Sequence, residues 1–276
     1  MLKRLLIALD ATPGAREAES LALRLALAHG AALKGLAIVD PEILIPIEPM
    51  PIGGDTYKMH KDAVLIDRAR AAASALAQAF SDECRTAHVE AESAAIQGPA
   101  LATLIGACAP HDVVVLGNDT SLGGAAKSPS PLIAGLLNNN PRPLIVSPAN
   151  EAPGPATLIA YDASVPAMRA LQLFAALGLR KAYETVVVSI GADAAAAKTM
   201  AEEGETFLRE RGYKAVARPL AGGKNPIDTL IAAAKSANAG LIVAGAYGHR
   251  GWREWLLGTT TEALVAQSPV PLFIHH

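Results

Sequence analysis

The sequence is short of several things, and each shortage excludes something. It has two cysteines, Cys84 and Cys108. That is too few for a disulfide framework and suits a reducing compartment. Aromatic residues make up 4% of the chain, so the core must be aliphatic and rich in alanine. Neither sign of charge is in excess: 24 Lys and Arg stand against 26 Asp and Glu, a formal net charge of -2. There is no basic footprint for nucleic acid. No uncharged apolar run approaches the roughly 18 residues needed to cross a bilayer. Near the N-terminus, Leu5 to Leu9 follows Lys3-Arg4, but Asp10 cuts the run, which is too short for a signal segment. The expectation is a cytoplasmic protein with no membrane partner. Two phosphate-binding patterns are also missing, G-x-x-x-x-G-K-[ST] and G-x-G-x-x-G. No Ser or Cys is locally matched with a His, so no nucleophile and base pair is visible. Neither catalytic residues nor metal ligands are predicted, since no paired carboxylates form a cation site.

Hydrophobic residues are plentiful, at 51%. They fall in short apolar runs alternating with helical patterns. Strands are read at Arg4 to Leu9, Leu33 to Val39, Val89 to Ala95, Val113 to Leu116 and Pro143 to Val146. Helices lie between them, over Ala15 to Ala28, Asp62 to Ala87, Ala100 to Ala109 and Pro131 to Leu137. Such alternation indicates a parallel sheet with crossover helices. Asn150 to Pro155 reads as a linker. The pattern then repeats, with strands at Thr157 to Tyr161, Thr185 to Ile190, Lys214 to Ala221, Leu241 to Ala244 and Ser268 to Ile274. Helices are read over Pro166 to Leu177, Ala194 to Arg211 and Pro226 to Ala237, with Glu262 to Ala266 a further one. The chain is therefore read as α/β, in two Rossmann-like domains, 1–150 and 154–276, each with a five-stranded parallel sheet flanked by helices.

The repeat is carried by matched positions. Asp10 and Asp162 follow equivalent first strands, in Ala-Leu-Asp-Ala-Thr and Ala-Tyr-Asp-Ala-Ser. Val115-Leu116-Gly117 matches Val243-Ala244-Gly245. From Gly117 to Pro141 is 24 positions, and from Gly245 to Pro269 is also 24. One stretch has no counterpart. Glu42 to Tyr57 carries Pro46, Pro49 and Pro51 among isoleucines, and its prolines forbid a regular helix or central strand. It is read as an apolar extended insertion, either packed on its own domain or covering a partner.

The most informative stretch is Leu241 to Thr261. A buried strand ends in Ala244-Gly245, and Gly248 follows in a loop. Gly258 with Thr259, Thr260 and Thr261 then opens a helix. Glycines let backbone approach a ligand. The first turn of a helix has unpaired N–H groups and a dipole that favours an anion. Strand, glycine loop and hydroxyl-rich helix start together point to a phosphate site.

Gly245-x-x-Gly248, nine positions, then Gly258-Thr259 resembles the nucleotide-binding signature of the universal stress protein family. The resemblance covers nearly the whole chain, which looks like a tandem member with the adenine nucleotide alpha hydrolase-like fold. It implies ATP as ligand, with Mg²⁺ arriving through the phosphates. It implies that Asp162 meets the adenosine part and that Ile190 contacts adenine through its backbone. Ala244, Gly245, Gly248, Gly258 and Thr259 match the phosphate loop, with His249, Arg250, Thr260 and Thr261 beside them. It also implies that the two domains pair through their last strands, and it leaves room for a homodimer. Asp162 has a plainer reading as a helix cap. In the first half Thr120 replaces the second glycine and Ser130-Pro131 replaces Gly258-Thr259, so nucleotide is not expected there. The functional readings left open are an ATP-binding regulatory protein, a slow ATP hydrolase of the same fold, and a nucleotide-independent scaffold.

Overall fold

A computed structural model describes residues 1–45, 55–123, 128–150, 154–222, 225–246 and 259–276, with the backbone alone at Asp55, Thr259 and Thr260. The first half runs β1 (Arg4–Leu9), α1 (Pro13–His29), β2 (Ala32–Val39), α2 (Pro41–Leu44), α3 (Asp55–Thr86), β3 (Ala91–Gln97), α4 (Ala100–Cys108), β4 (Val113–Gly117), α5 (Pro131–Asn139) and β5 (Leu144–Ser147). The second runs β6 (Ala156–Ala160), α6 (Val165–Leu177), β7 (Glu184–Gly191), α7 (Ala194–Arg209), β8 (Lys214–Ala221), α8 (Pro226–Ser236), β9 (Ala239–Gly245), α9 (Thr259–Gln267) and β10 (Leu272–His275).

Local chemistry sets these boundaries. Pro13 opens α1 where its missing N–H is not needed, and Gly30 closes it in the left-handed region at φ 60°. Ser164 caps α6 by accepting from Ala167 N, and Gly178 closes it at φ 71°. The central strands β1, β4, β9 and β10 are buried nearly throughout, as strands covered on both faces must be. The proline-rich insertion departs from its reading at both ends. Pro41–Leu44 forms a short helix whose first turn is capped by Asp40, and α3 already begins at Asp55. Residues 46–54 lie outside the described residues.

All ten strands join one sheet, in the order β3-β2-β1-β4-β5-β10-β9-β6-β7-β8. Within each half every described pairing is parallel, and the strand order is the same doubly wound one. The halves meet where β5 and β10 run antiparallel, with Leu272 opposite Val146, Phe273 opposite Ile145 and Ile274 opposite Leu144. The expected pairing through last strands is what the sheet contains. Helices α1, α3, α6 and α7 cover one face, and α4, α5, α8 and α9 the other. Each apolar layer runs unbroken across the seam. On the first face Phe273 lies opposite Ile145 across the seam and meets Phe174 of its own half edge-on, with ring centroids 6.1 Å apart, and Phe174 in turn meets Tyr213 at 5.4 Å. The N-terminal segment adds a cross-link, because Leu2 N donates to Leu177 O at the end of α6, at 3.0 Å. The outer edges are β3 and β8. Pro219 sits on β8, where a missing N–H breaks no ladder.

Phe273 is fully buried at the seam and touches both halves. Phe273→Ala is expected to cost about 3–5 kcal/mol. The measurement is urea unfolding followed by a probe in each half, and both probes should shift together.

Candidate functional site

Strand order fixes where a ligand crevice forms. After β6 the chain crosses to β7 on one side; after β8 it returns to β9 on the other side of β6. The connections leaving the C-terminal ends of β6 and β9 therefore diverge to opposite faces and leave a cleft between them. Asp162 lies just past the end of β6 and Gly245 is the last residue of β9. The register places Ile159 beside Val243, so the two strand ends are adjacent. The sequence-predicted Asp162 and Gly245 are thus brought together at this switch point. Ile190 is one strand further out, near the same edge of the sheet on β7.

Asp162 is half-buried, and among the described residues its side chain accepts one hydrogen bond, Ser164 N to Oδ1 at 3.0 Å. It does not cap α6; Ser164 does that. Between them Ala163 adopts φ 56°, a left-handed conformation uncommon for a residue with a Cβ. Strain of this kind gathers at binding sites. Ser189 Oγ donates to Tyr161 O at 2.6 Å and ties β7 to the end of β6, just before Asp162. Ala163, Ser164 and Ser189 are features the sequence reading missed. Only the repeated Ala-Tyr-Asp-Ala-Ser frame pointed at the first two.

Gly245 has a different reason to be glycine from the one expected. A Cβ there would collide with the backbone of Pro166 and Ala167, so its absence lets α6 pack against the strand end. Gly117 meets the backbone of Gly14 and Ala15 in the same way in the first half. Ala244 is buried, 7% exposed, in the apolar layer on the α8 and α9 face. Thr259 and Thr260 open α9, and half-buried Thr261 follows in its first turn. Gly248, His249, Arg250 and Gly258 lie outside the described residues, as do Tyr247, Trp252 and Trp255.

Beside the crevice, His275 pairs with Gly245 across β9 and β10, and its carbonyl accepts from Ala246 N at 2.7 Å. Its Nδ1 is buried and has no partner among the described residues. Burial, then nearby His276 and Arg169, push the imidazole down to about 4. Among the described residues no group of His, Cys, Asp or Glu is arranged to hold a metal ion. Cys84 and Cys108 are buried and burial pushes both thiols up to about 11, so neither is a nucleophile near neutral pH. No helix among the described residues is long and apolar enough to cross a membrane.

In the first half the loop after β4 is described as far as Gly123. Asp10, at the end of β1, is 7% exposed and accepts from Ala11 N at 2.7 Å, Ser121 N at 2.5 Å, Ser121 Oγ at 3.0 Å and Leu122 N at 2.8 Å. Asp119 accepts from Gly14 N in the first turn of α1, at 3.1 Å. Thr120 turns inward rather than toward a ligand. Its Oγ1 accepts from Gly117 N at 2.9 Å, and its carbonyl accepts from Ser130 Oγ at 2.6 Å.

Two outcomes follow from this contrast. Asp10→Asn turns an amide donor toward amide donors and is expected to cost about 2–4 kcal/mol, whereas Asp162→Asn disturbs one local bond and should cost under about 1 kcal/mol. Denaturant unfolding of the two variants measures the difference. The second outcome concerns pH. His275 is held neutral, with its pKa lowered in the fold, so its contribution to stability is present above the unfolded value near 6.5 and is lost as pH falls toward 4. His275→Gln should flatten the stability profile in that window.

Comparison with known proteins bears on the fold. Residues 156–276 match the model of the universal stress protein family. A solved universal stress protein from Archaeoglobus fulgidus DSM 4304 is 17% identical, covering 99% of this chain and 95% of that one, with a TM-score of 0.69. A functionally unknown protein from Pseudomonas aeruginosa PAO1 is 12% identical over 99% of this chain and 92% of its own, with a TM-score of 0.59. A universal stress protein from Archaeoglobus fulgidus in complex with dAMP is 21% identical, covering 45% of this chain and 98% of that one, at a TM-score of 0.36. No curated protein matches the sequence. The match to the universal stress protein family lies in the second half, residues 156–276, and the first half repeats the same strand order ahead of it.

Proposed function

We propose that the second half binds ATP in the crevice between the ends of β6 and β9 and that the chain acts as a nucleotide-responsive regulatory protein in the cytoplasm. The observation that carries this reading is Asp162. It stands at the switch point beside Gly245 and, among the described residues, accepts one hydrogen bond, from Ser164 N, whereas Asp10 accepts from Ala11, Ser121 and Leu122. A carboxylate at the C-terminal end of a strand is suited to accept from ribose hydroxyls. The strained turn at Ala163 holds it there. The backbone near Ile190 lines the outer side of the crevice, where an adenine ring would lie. Gly248, Gly258 and the amides opening α9 would take the phosphates, with Thr259, Thr260 and Thr261 adding hydroxyl donors. His249 and Arg250 belong to the same loop in sequence. Mg²⁺ would enter bridging the phosphates rather than on a site of its own.

Support for binding without turnover comes from the side-chain chemistry. Neither cysteine is activated, and among the described residues His275 beside the crevice has no acidic partner. Isothermal titration of the full chain with MgATP is expected to give one site per chain. Asp162→Ala should weaken it by about tenfold or more, the loss of about 1.4 kcal/mol or above. Unchanged affinity in that variant, or no heat at millimolar ATP, would count against the assignment. Phosphate release measured on the same samples separates a hydrolase from a binder.

A further inference from the structure

We propose that the crevice of the first half is sealed by its own chain, with the loop after β4 acting as an internal ligand. This goes beyond the nucleotide reading of the second half and does not depend on it. The seal has two parts, each made by an aspartate beside the ends of β1 and β4.

The first part is Asp10. Its Oδ2 receives Ser121 N, Ser121 Oγ and Leu122 N, while Oδ1 receives Ala11 N. Donors from 111 and 112 positions away in sequence thus occupy the carboxylate that would otherwise face a ligand. A carboxylate has about four acceptor sites, and this one is buried with its sites used.

The second part is Asp119. Its Oδ2 takes Gly14 N in the opening turn of α1, and its Oδ1 lies so close that a Cβ on Gly14 would collide with it. A negative group therefore already sits where the helix dipole favours an anion. A ligand entering between the ends of β1 and β4 would meet this carboxylate rather than open amides.

The loop is held in place and does not merely pass by. Leu122 is 3% exposed and adopts φ 50°, a conformation that a leucine holds only when its surroundings compel it. Its side chain joins the apolar layer with Ile38 and Leu116. Gly123 follows at φ 92°, and Leu44 of α2 lies against it, 3.1 Å from where a Cβ would be. The loop base is stitched by Ser130 N to Asn118 O at 2.8 Å and Asn118 N to Ser147 O at 2.8 Å. Polar and apolar groups of the same segment fill the two parts of the crevice together. Ligand and loop cannot share that space.

Amide-resolved NMR on the full-length ¹⁵N-labelled chain tests the seal. In the wild type, the Ser121 and Leu122 amides should be protected from hydrogen exchange by about 100-fold or more relative to a free loop. MgATP to 5 mM should leave the Gly14, Ser121 and Leu122 signals in place. Asp10→Asn should lower protection at Ser121 and Leu122 at least about tenfold, while Ile159 and Val243 keep theirs. Free-loop exchange at Ser121 and Leu122 in the wild type overturns the proposal, and so does movement of those signals with ATP. If Asp10→Asn fails to fold, the two wild-type measurements still decide. Absence of ATP effects anywhere in the chain would sink the nucleotide reading of the second half and leave the seal standing.

Discussion

The antiparallel contact between β5 and β10 is the constraint on which the architecture rests. Each strand ends a parallel half-sheet with apolar side chains on both faces and one unpaired row of backbone groups. Left open, such an edge would template aggregation. Pairing Leu144, Ile145 and Val146 with Ile274, Phe273 and Leu272 satisfies both edges at once. It also sets α1 and α6 on the same face, so that Leu2 reaches Leu177. The two halves share their apolar layers, and the outward edges left are the half-exposed β3 and β8.

This arrangement relates two crevices built on the same strand ends. In each half an aspartate follows the first strand, and a glycine at the end of the fourth lets the first helix approach. In the first half, Ser121 and Leu122 turn back onto Asp10, and Asp119 lies on α1. In the second half, Asp162 has its near neighbour Ser164 and a strained turn at Ala163. The division of labour we infer is one half that binds and one half that completes the sheet.

Much of this was legible in the sequence, because local signals and the repeat agreed. Lys214–Ala221 forms β8 with the boundaries its pattern gives, and Asp10 and Asp162 occupy equivalent strand ends. Boundaries slipped where periodicity was weak. The third strand was read from Val89 but begins at Ala91, because Val89 N closes the end of α3 on Cys84 O and His88 takes φ 56°. The last strand was read from Ser268 but begins at Leu272, since Ser268 Oγ folds the preceding turn onto Val270. The helix read from Asp62 begins at Asp55, where exposed Tyr57 and Met59 break the apolar pattern. The role of Gly245 in packing and the closure over Asp10 both depend on long-range contacts, which spacing along a chain does not encode.

The most direct measurement of the central claim is a crystal structure of the full chain grown with millimolar MgATP. The account predicts a single nucleotide, its ribose on Asp162 and its phosphates on the residues from Gly245 to Thr261. Nucleotide between β1 and β4, or a chain that crystallises empty in both crevices at saturating ATP, would contradict it.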